Sequence, residues 1–391
     1  MGLTPMSDKM VKRRSVLGAI GVGASVPFVR TATAGKVDRS TRIVAGRSGE
    51  NHEPVFTKTV PKQWLRHQEA VRKATKRLLD AYGQRDHVGS ISYVASTRMK
   101  DGVRYSQPEI AVAPGTPQSK KDQLPDSLKE AGVEEPSSLT VSDIKIREMN
   151  GDFIAQNVDC YRNITESNFS GGLEIRDHDS NALGTAGFKV WRNDNEYMYT
   201  ANHVLNDGSC AVGEGGMDDA DNNLLGYSND GHSYTREGHK NHDWITVSDY
   251  NTTYDNTIQY EEGEITINGY ATQEGMESIQ GERGTLQFQG IVSGYQDAYV
   301  KGGGASVSTG CIDMYGSATK IGMPDYARDG DSGGPYWWPT ADGNLVVGAH
   351  SASETTGSFS GCNLSGSEGT PCYTYPFWRV ANNTGFTVKN V

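Results

Sequence analysis

From about residue 169 onward the chain is a series of short alternating runs separated by Gly, Asn and Asp clusters. Examples are "GFKVW", "EYMYTA", "DWITVSDY", "GTLQFQGIV" and "LVVGAHSA". Alternation of apolar and polar residues between turn formers is typical of half-buried strands. About 220 residues of such strands predict an all-β sandwich or a pair of barrels. Helical periodicity is absent until "PFWRVANNTGF", which predicts a helix near the C-terminus.

The preceding part of the chain, residues 35–168, has a different pattern. Residues 35–60 resemble a polar linker without periodicity. "VPKQWLRHQEAVRKATKRLLDAYGQ" predicts a helix, because Pro61 suits its start, Gly83 suits its end and apolar residues recur at helical spacing. "VGSISYVASTRMKDGVRY" alternates like a hairpin, and "DQLPDSLKEAG" predicts a short helix. We therefore predict a small α+β domain followed by a linker over 35–168.

Residues 1–34 have the features of an export signal. "KRRSVLGAIGVGASVPFV" has a basic start and an apolar run too short for a membrane span, and Ala32-Thr33-Ala34 fits a signal-peptidase site. Arg13-Arg14 resembles a twin-arginine signal. No second apolar stretch of membrane length follows. We expect a secreted, extracellular protein with no membrane segment in its mature form.

Charge is divided unevenly along the chain. Residues 169–391 carry 11 Lys+Arg against 29 Asp+Glu, a net of −18, whereas residues 35–168 carry 21 against 18, a net of +3. The negative charge of the C-terminal part argues against nucleic acid, which is also negatively charged, as its partner. Because salt screens self-repulsion, this composition also suggests the hypothesis of a salt-rich habitat.

Five cysteines suit an oxidising compartment without forming a disulfide-dense scaffold. Cys362 and Cys372 enclose a Gly/Ser-rich loop and are the predicted pair, while the pairing of Cys160, Cys210 and Cys311 stays open. No CxxC motif or zinc-type histidine spacing occurs, and "MDDADNN" lacks the glycine and distal Glu of a calcium loop. We expect neither a metal nor another cofactor.

Three blocks carry residues suited to nucleophilic chemistry. Ser332 lies in "GDSGGP", His203 follows "YMYTAN", and Asp243 begins "DWITV". Acyl transfer by a serine needs a base for the hydroxyl proton, a carboxylate that orients the base, and donors for the oxyanion. Histidine suits the base because its reference pKa of about 6.5 is close to neutral pH.

The order His, Asp, Ser and the separations of 40 and 89 residues resemble chymotrypsin-like serine proteases, in particular the streptogrisin-type branch. The resemblance covers 169–391 and implies two antiparallel six-stranded β-barrels with a C-terminal helix. It implies that His203, Asp243 and Ser332 are catalytic, that the Gly330 and Ser332 amides form the oxyanion hole, and that Asp331 holds the loop. It further implies a monomeric serine endopeptidase acting on proteins or peptides.

The same resemblance suggests which residues meet the substrate side chain before the scissile bond. These pocket residues are His350, Ser351, Ser353, Tyr326 and Asp329. Glutamyl endopeptidases of this clan also carry a histidine at the position of His350, so a Glu or Asp preference is one hypothesis. Asp329 would repel an anion, and an aromatic or broad preference is the rival hypothesis.

The basic region 35–168 is interpreted as a pro-region that acts as an intramolecular chaperone and inhibitor of its acidic partner. "RIVAG" at 42–46 resembles the activation cut of trypsin-type zymogens but lies too far ahead of His203. A second hypothesis is a protease-like extracellular binding module without activity, although all three blocks are intact. An esterase of the α/β-hydrolase type is disfavoured because its order is Ser, Asp, His.

Overall fold

The structure is a computed structural model. It describes the following residues: 39–133, 142–150, 152–154, 169–205, 216–232, 240–248, 253–260, 263–309, 312–324, 327–328, 330–355 and 371–390. Residues 39–391 form one compact unit. Among the helices in this described part, none combines the length and apolarity needed to cross a membrane.

The described residues of the N-terminal region, 39–154, form two helices and six strands. They are β1 (Ser40–Ser48), β2 (Glu53–Pro61), α1 (Lys62–Tyr82), β3 (Val88–Lys100), β4 (Val103–Val112), α2 (Gln118–Lys121), β5 (Lys145–Glu148) and β6 (Asp152–Ile154). The predicted long helix is confirmed, with Pro61 at its N-cap and Gly83 at its C-cap. The predicted hairpin is confirmed as β3 and β4, which turn at Asp101 (φ 55°) and Gly102 (φ 79°).

Two predictions in this region are wrong. The expected linker over 35–60 contains the β1–β2 hairpin, whose Ile43 and Val60 are buried in one cluster with Trp64 of α1. A few isolated apolar residues suffice for these strands because α1 packs against them and buries them. The expected helix over 122–132 is instead a series of turns after α2, since Pro125 disfavours helical geometry at the preceding residue.

The first half of the remaining chain is a set of short strands. They are β7 (Phe169–Gly171), β8 (Glu174–Asp177), β9 (Leu183–Thr185), β10 (Phe188–Arg192), β11 (Asn195–Thr200), β12 (Gly216–Asp218), β13 (Leu224–His232), β14 (Lys240–Asn241), β15 (Trp244–Ser248) and β16 (Tyr254–Tyr260). Seven of them form a curled sheet in the order β10-β11-β15-β13-β12-β8-β9. This sheet carries the blocks that contain His203 and Asp243.

The second half contains a closed barrel. Its elements are β17 (Gly263–Ala271), α3 (Gln273–Glu282), β18 (Thr285–Gly290), β19 (Gly294–Ala305), β20 (Ser308–Thr309), β21 (Ile312–Met314), β22 (Ala318–Gly322), β23 (Pro335–Thr340), β24 (Gly343–Thr355), β25 (Pro371–Pro376) and α4 (Phe377–Thr384). Strands β18, β19, β22, β25, β24 and β23 pair in a ring that returns to β18. The predicted all-β architecture with a C-terminal helix is confirmed, with one closed six-stranded barrel and one curled half-barrel.

Helix α3 was not expected from the sequence. Its ten residues, "QEGMESIQGE", include two glycines and only two apolar side chains, Met276 and Ile279. Thr272 caps the helix by accepting a hydrogen bond from the Gly275 amide at 3.0 Å. Burial of Met276 and Ile279 beside β18 and β23 residues supplies the packing that the sequence pattern does not reveal.

The N-terminal region shares its β-structure with the barrel half. Strand β1 pairs with β17, β3 pairs with β19, and β6 pairs with β24, all antiparallel. The 42–46 segment "RIVAG" therefore lies inside β1, a strand paired on both sides. We call the contact surface between residues 39–154 and residues 263–376 the seam.

Candidate active site

The loop that carries Ser332 turns tightly between the two β-halves. Gly330 and Gly333 have φ angles of 90° and 89°, a conformation that glycine adopts without steric penalty. A Cβ at Gly333 would lie 2.1 Å from Thr200 Oγ1 and 2.2 Å from the Thr185 carbonyl oxygen. Gly333 of "GDSGGP" is therefore required by close packing against strands of the first half.

The structure brings the three predicted catalytic residues together. Nε2 of His203 lies 2.7 Å from Ser332 Oγ, and Nδ1 lies 2.9 Å from Asp243 Oδ2. Asp243 Oδ1 also accepts a hydrogen bond from the His203 amide at 2.9 Å. The three residues are buried or nearly so, with Ser332 1% and Asp243 3% exposed. One imidazole thus bridges a hydroxyl and a carboxylate.

The predicted oxyanion donors are the amides of Gly330 and Ser332. In the described part of the chain, neither amide donates a backbone hydrogen bond, whereas the intervening Asp331 amide donates to Arg328 O at 2.9 Å. The carbonyls of Gly330 and Ser332 both accept hydrogen bonds from Thr185. Two amide donors thus remain available beside Ser332, as an oxyanion site requires.

Asp331 holds the loop, as the resemblance implies. Its Oδ1 accepts hydrogen bonds from the amides of Val292 (2.9 Å) and Ser293 (3.0 Å), and its Oδ2 accepts one from Arg328 (2.6 Å). The side chain is fully buried. Burial raises the pKa of the Asp331 carboxyl, and the backbone hydrogen bonds oppose that rise.

The predicted pocket is described only in part. Tyr326 and Asp329 lie outside the described residues. His350 is fully buried, with Nδ1 2.8 Å from Tyr336 Oη and Nε2 3.4 Å from Ser353 Oγ. Burial, together with the nearby His203, lowers the pKa of His350 to about 3. The imidazole is therefore neutral at neutral pH. Ser351 Oγ is buried and has no hydrogen-bond partner among the described residues.

Cys372, one half of the predicted disulfide, lies in β25 behind this pocket. Its Sγ is 3.4 Å from Ser353 Oγ, and burial raises the pKa of its thiol. Cys362 lies outside the described residues, so the pair stays a prediction.

The edge of β24 beyond His350 is covered by the N-terminal region. Ser353, Glu354 and Thr355 pair with Ile154, Phe153 and Asp152 of β6. The Glu354 side chain is fully buried and accepts hydrogen bonds from Arg147 of β5 and from Tyr373. The edge of β24, the strand that passes beside the Ser332 loop, is thus paired with another part of the same chain.

Around Glu354, the seam contains a buried cluster of charges. Arg147 also donates to Glu109 at 3.0 Å, and Lys320 donates to the same carboxylate at 2.7 Å. Burial by itself raises the pKa of Glu109, but Lys320 and Arg147 outweigh it and lower the pKa to about 2. Opposite charges from both sides of the seam therefore stabilise each other.

Two residues near the loop were missed by sequence reasoning. Thr185 and Thr200 are fully buried and hydrogen-bond around the Ser332 loop. Thr200 lies in the "TANH" block, but "LGTAG" around Thr185 carries no motif. Only the tertiary structure relates Thr185 to a loop 145 residues away.

No protein-family model matches the chain, and neither does any curated protein. Solved structures that match it include a glutamic-acid-specific serine protease described as using a histidine triad in substrate binding. That match has 20% identity and a TM-score of 0.41, and it covers 56% of this chain and 98% of the other. Thermobifida fusca Protease A matches at 16% identity and a TM-score of 0.40, covering 57% and 100%. The chain is thus structurally similar, at low identity, to chymotrypsin-like serine proteases.

Proposed function

We propose that this protein is a serine endopeptidase in which Ser332, His203 and Asp243 act as a catalytic triad. The observation that carries the proposal is the His203 ring, whose two nitrogens lie within 2.9 Å of the Ser332 hydroxyl and the Asp243 carboxylate. A nucleophile, a base and an orienting carboxylate at hydrogen-bond distance are the requirements for acyl transfer.

In the proposed reaction, Ser332 Oγ attacks the carbonyl carbon of the scissile peptide bond while His203 Nε2 takes the hydroxyl proton. Asp243 holds Nδ1–H in place and stabilises the imidazolium. The amides of Gly330 and Ser332 donate to the oxyanion. His203 then gives its proton to the leaving amine as the C–N bond breaks, and water hydrolyses the acyl-enzyme with the same groups.

Covalent labelling with a fluorophosphonate tests the proposal. We expect Ser332 to be labelled in the intact chain or after limited proteolysis, and Ser332→Ala to abolish labelling. Ser317→Ala is the matched control, because its buried hydroxyl makes no hydrogen bond within the part of the chain that the structure describes and lies outside the site. Absence of label at Ser332 in both forms of the folded chain would favour an inactive, protease-like binding module.

The finer proposal concerns the residue before the scissile bond. A preference for Glu or Asp is supported by His350 and Ser353 of β24, whose Nε2 and Oγ atoms lie 3.4 Å apart, with Ser351 on the same strand. With Tyr336 Oη donating to Nδ1, His350 would offer Nε2–H rather than a full positive charge, because its pKa is about 3. A panel of peptides that differ only at this residue distinguishes an acidic preference from an aromatic or broad one. A kcat/KM for Glu no greater than for Phe or Leu establishes the aromatic or broad alternative.

The domain assignment is part of the same proposal. Residues 1–34 would direct export, 35–168 would be a pro-region, and 169–391 would be the secreted protease. Inhibition by the pro-region is supported by β6, since an extended peptide that added to the edge of β24 would compete with it. We expect limited proteolysis of the full chain to raise its rate of peptide hydrolysis. N-terminal sequencing of the secreted form identifies the cut. Equal activity before and after cutting would contradict inhibition.

A further inference from the structure

Thr185, the last residue of β9, contacts the Ser332 loop at two carbonyl groups, those of Gly330 and Ser332, on either side of Asp331. Its amide donates to Ser332 O at 2.8 Å, and its Oγ1 donates to Gly330 O at 2.7 Å. The Ile291 amide donates to the same Oγ1 at 3.0 Å, so the hydroxyl proton is directed to Gly330. Thr185 is fully buried, and water cannot replace these bonds.

These carbonyls belong to the peptide units that follow the two oxyanion donors. The Gly330 amide precedes the carbonyl that Thr185 Oγ1 holds, and the Ser332 amide precedes the carbonyl that the Thr185 amide holds. Gly330 has a φ of 90° and no side chain, so its own conformation does little to restrict rotation of the following peptide. The orientation of the Gly330–Asp331 peptide therefore depends on its hydrogen-bond partners: Thr185 Oγ1 donates to its carbonyl, and its own amide donates to Arg328 O at 2.9 Å.

Thr185 is in turn held by the strand that leads to the histidine. Thr200 Oγ1 donates to the Thr185 carbonyl at 2.9 Å, and Thr200 lies three residues before His203. The same Thr200 Oγ1 occupies the space where a Cβ of Gly333 would be. A continuous set of hydrogen bonds thus connects the seven-stranded sheet that carries His203 to the Ser332 loop of the barrel half.

We propose that Thr185 is a positioning residue that orients the oxyanion donors by fixing the Gly330–Asp331 peptide. The inference rests on the proposed protease function and deepens it. Thr185 does not touch the reacting atoms. It acts through the loop. Its hydroxyl matters because stabilisation of the oxyanion depends on amide donors that are placed to within fractions of an ångström.

The test compares Thr185→Val, which removes the hydroxyl at nearly constant shape, with Thr185→Ser, which keeps it. Loss of a whole oxyanion donor costs roughly 10²–10³ in kcat. For a donor that is misoriented rather than lost, we expect Thr185→Val to lower kcat by about 10–100-fold. KM should stay within about twofold, and the pH profile of kcat/KM should not move, because the triad is untouched. Thr185→Ser should restore kcat to within about threefold of the starting chain.

Thr340→Val is the matched control. Thr340 Oγ1 also donates to a carbonyl, Gly343 O at 2.7 Å, and accepts from an amide, Asp342 N at 3.2 Å, but in the turn between β23 and β24. An equal loss of kcat in Thr340→Val, or an unchanged kcat in Thr185→Val, overturns the proposal.

A crystal structure of Thr185→Val tests the same inference without activity. We expect the Gly330 carbonyl to rotate away from its position in the starting chain, and an unchanged Gly330–Asp331 peptide would overturn the proposal. If the starting chain hydrolyses no peptide and Ser332 takes no label, the proposed function fails. The crystal structure still decides whether Thr185 orients the loop.

Discussion

The seam and the active-site cleft, by which we mean Ser332, His203, Asp243 and Asp331 between the two β-halves, both bury charged groups, but different kinds of partner neutralise those charges. In the seam, Glu109 is paired with Lys320 and Glu354 with Arg147, in each case from the opposite side. In the cleft, Asp331 is held by backbone amides and Asp243 by an imidazole and an amide. Ion pairs across the seam are lost when its two sides separate, whereas the donors to Asp331 and Asp243 come from the two β-halves themselves. The seam is therefore suited to association and the cleft to fixed geometry.

The largest expected effect lies in the cleft. Asp243→Asn keeps the shape of the side chain but no longer selects the histidine tautomer that can accept the Ser332 proton. In triads of this type the equivalent loss is roughly 10⁴-fold in kcat. We expect a comparable fall in kcat for peptide hydrolysis. Asp297→Asn, at an exposed carboxylate of β19, should leave kcat unchanged. A loss below about tenfold in Asp243→Asn would contradict the role given to this carboxylate.

The next largest effect is expected in the seam. Arg147→Met leaves Glu354 and Glu109 buried with fewer partners, and breaking a buried pair typically destabilises by about 3–5 kcal/mol. Urea unfolding of the intact chain measures the loss. Lys145→Met is the control within the same network, because Lys145 is half exposed although it also pairs with Glu109. Equal losses in the two variants would show that burial does not set the energy of the seam.

The pH dependence of the unfolding free energy should reflect two seam carboxylates, one with a raised pKa and one with a lowered pKa. Burial raises the pKa of Glu277 to about 7 in spite of Arg72, so its contribution is present below about pH 4.5 and lost as pH rises through 7. The pKa of Glu109 is lowered to about 2, so its contribution is present above about pH 4.5 and lost as pH falls towards 2. Together they favour maximal stability near pH 4–5, with each contributing up to about 3 kcal/mol.

Two conservative variants separate these contributions. Glu277→Gln should flatten the decline in unfolding free energy between pH 5 and 8, because the titrating group is gone. Glu109→Gln should instead flatten the decline below about pH 4.5. Unfolding free energy across pH 3–8 measures both. A decline between pH 5 and 8 that persists in Glu277→Gln would assign it to another group.

The smallest effect is expected at the exposed margin of the seam. Lys58 of β2 pairs with Glu282 of α3, and both side chains are partly exposed. Exposed ion pairs contribute about 0.2–1 kcal/mol. We expect Lys58→Met to reduce the unfolding free energy by less than about 1 kcal/mol, and less still at high salt. A loss as large as that of Arg147→Met would remove the distinction between the margin and the interior of the seam.

Much of the fold could be predicted where a local signal was strong. Helix α1 and the β3–β4 hairpin have long periodic patterns and turn residues that agree with them. The β1–β2 hairpin and α3 could not be predicted, because their apolar residues are few and gain burial only from distant elements. Local propensity is a weak guide wherever tertiary packing supplies most of the stability.

For the candidate site, the sequence by itself determined the chemical groups: a serine between glycines, a histidine and an aspartate in a fixed order along the chain. Only the tertiary structure decided that the His203 ring reaches both partners, that His350 is buried and neutral, and that Thr185 holds the loop. It also decided that β6 covers the edge of β24. The reason is physical: composition and order are properties of the chain, whereas hydrogen bonds and burial depend on which distant residues folding brings within about 3 Å.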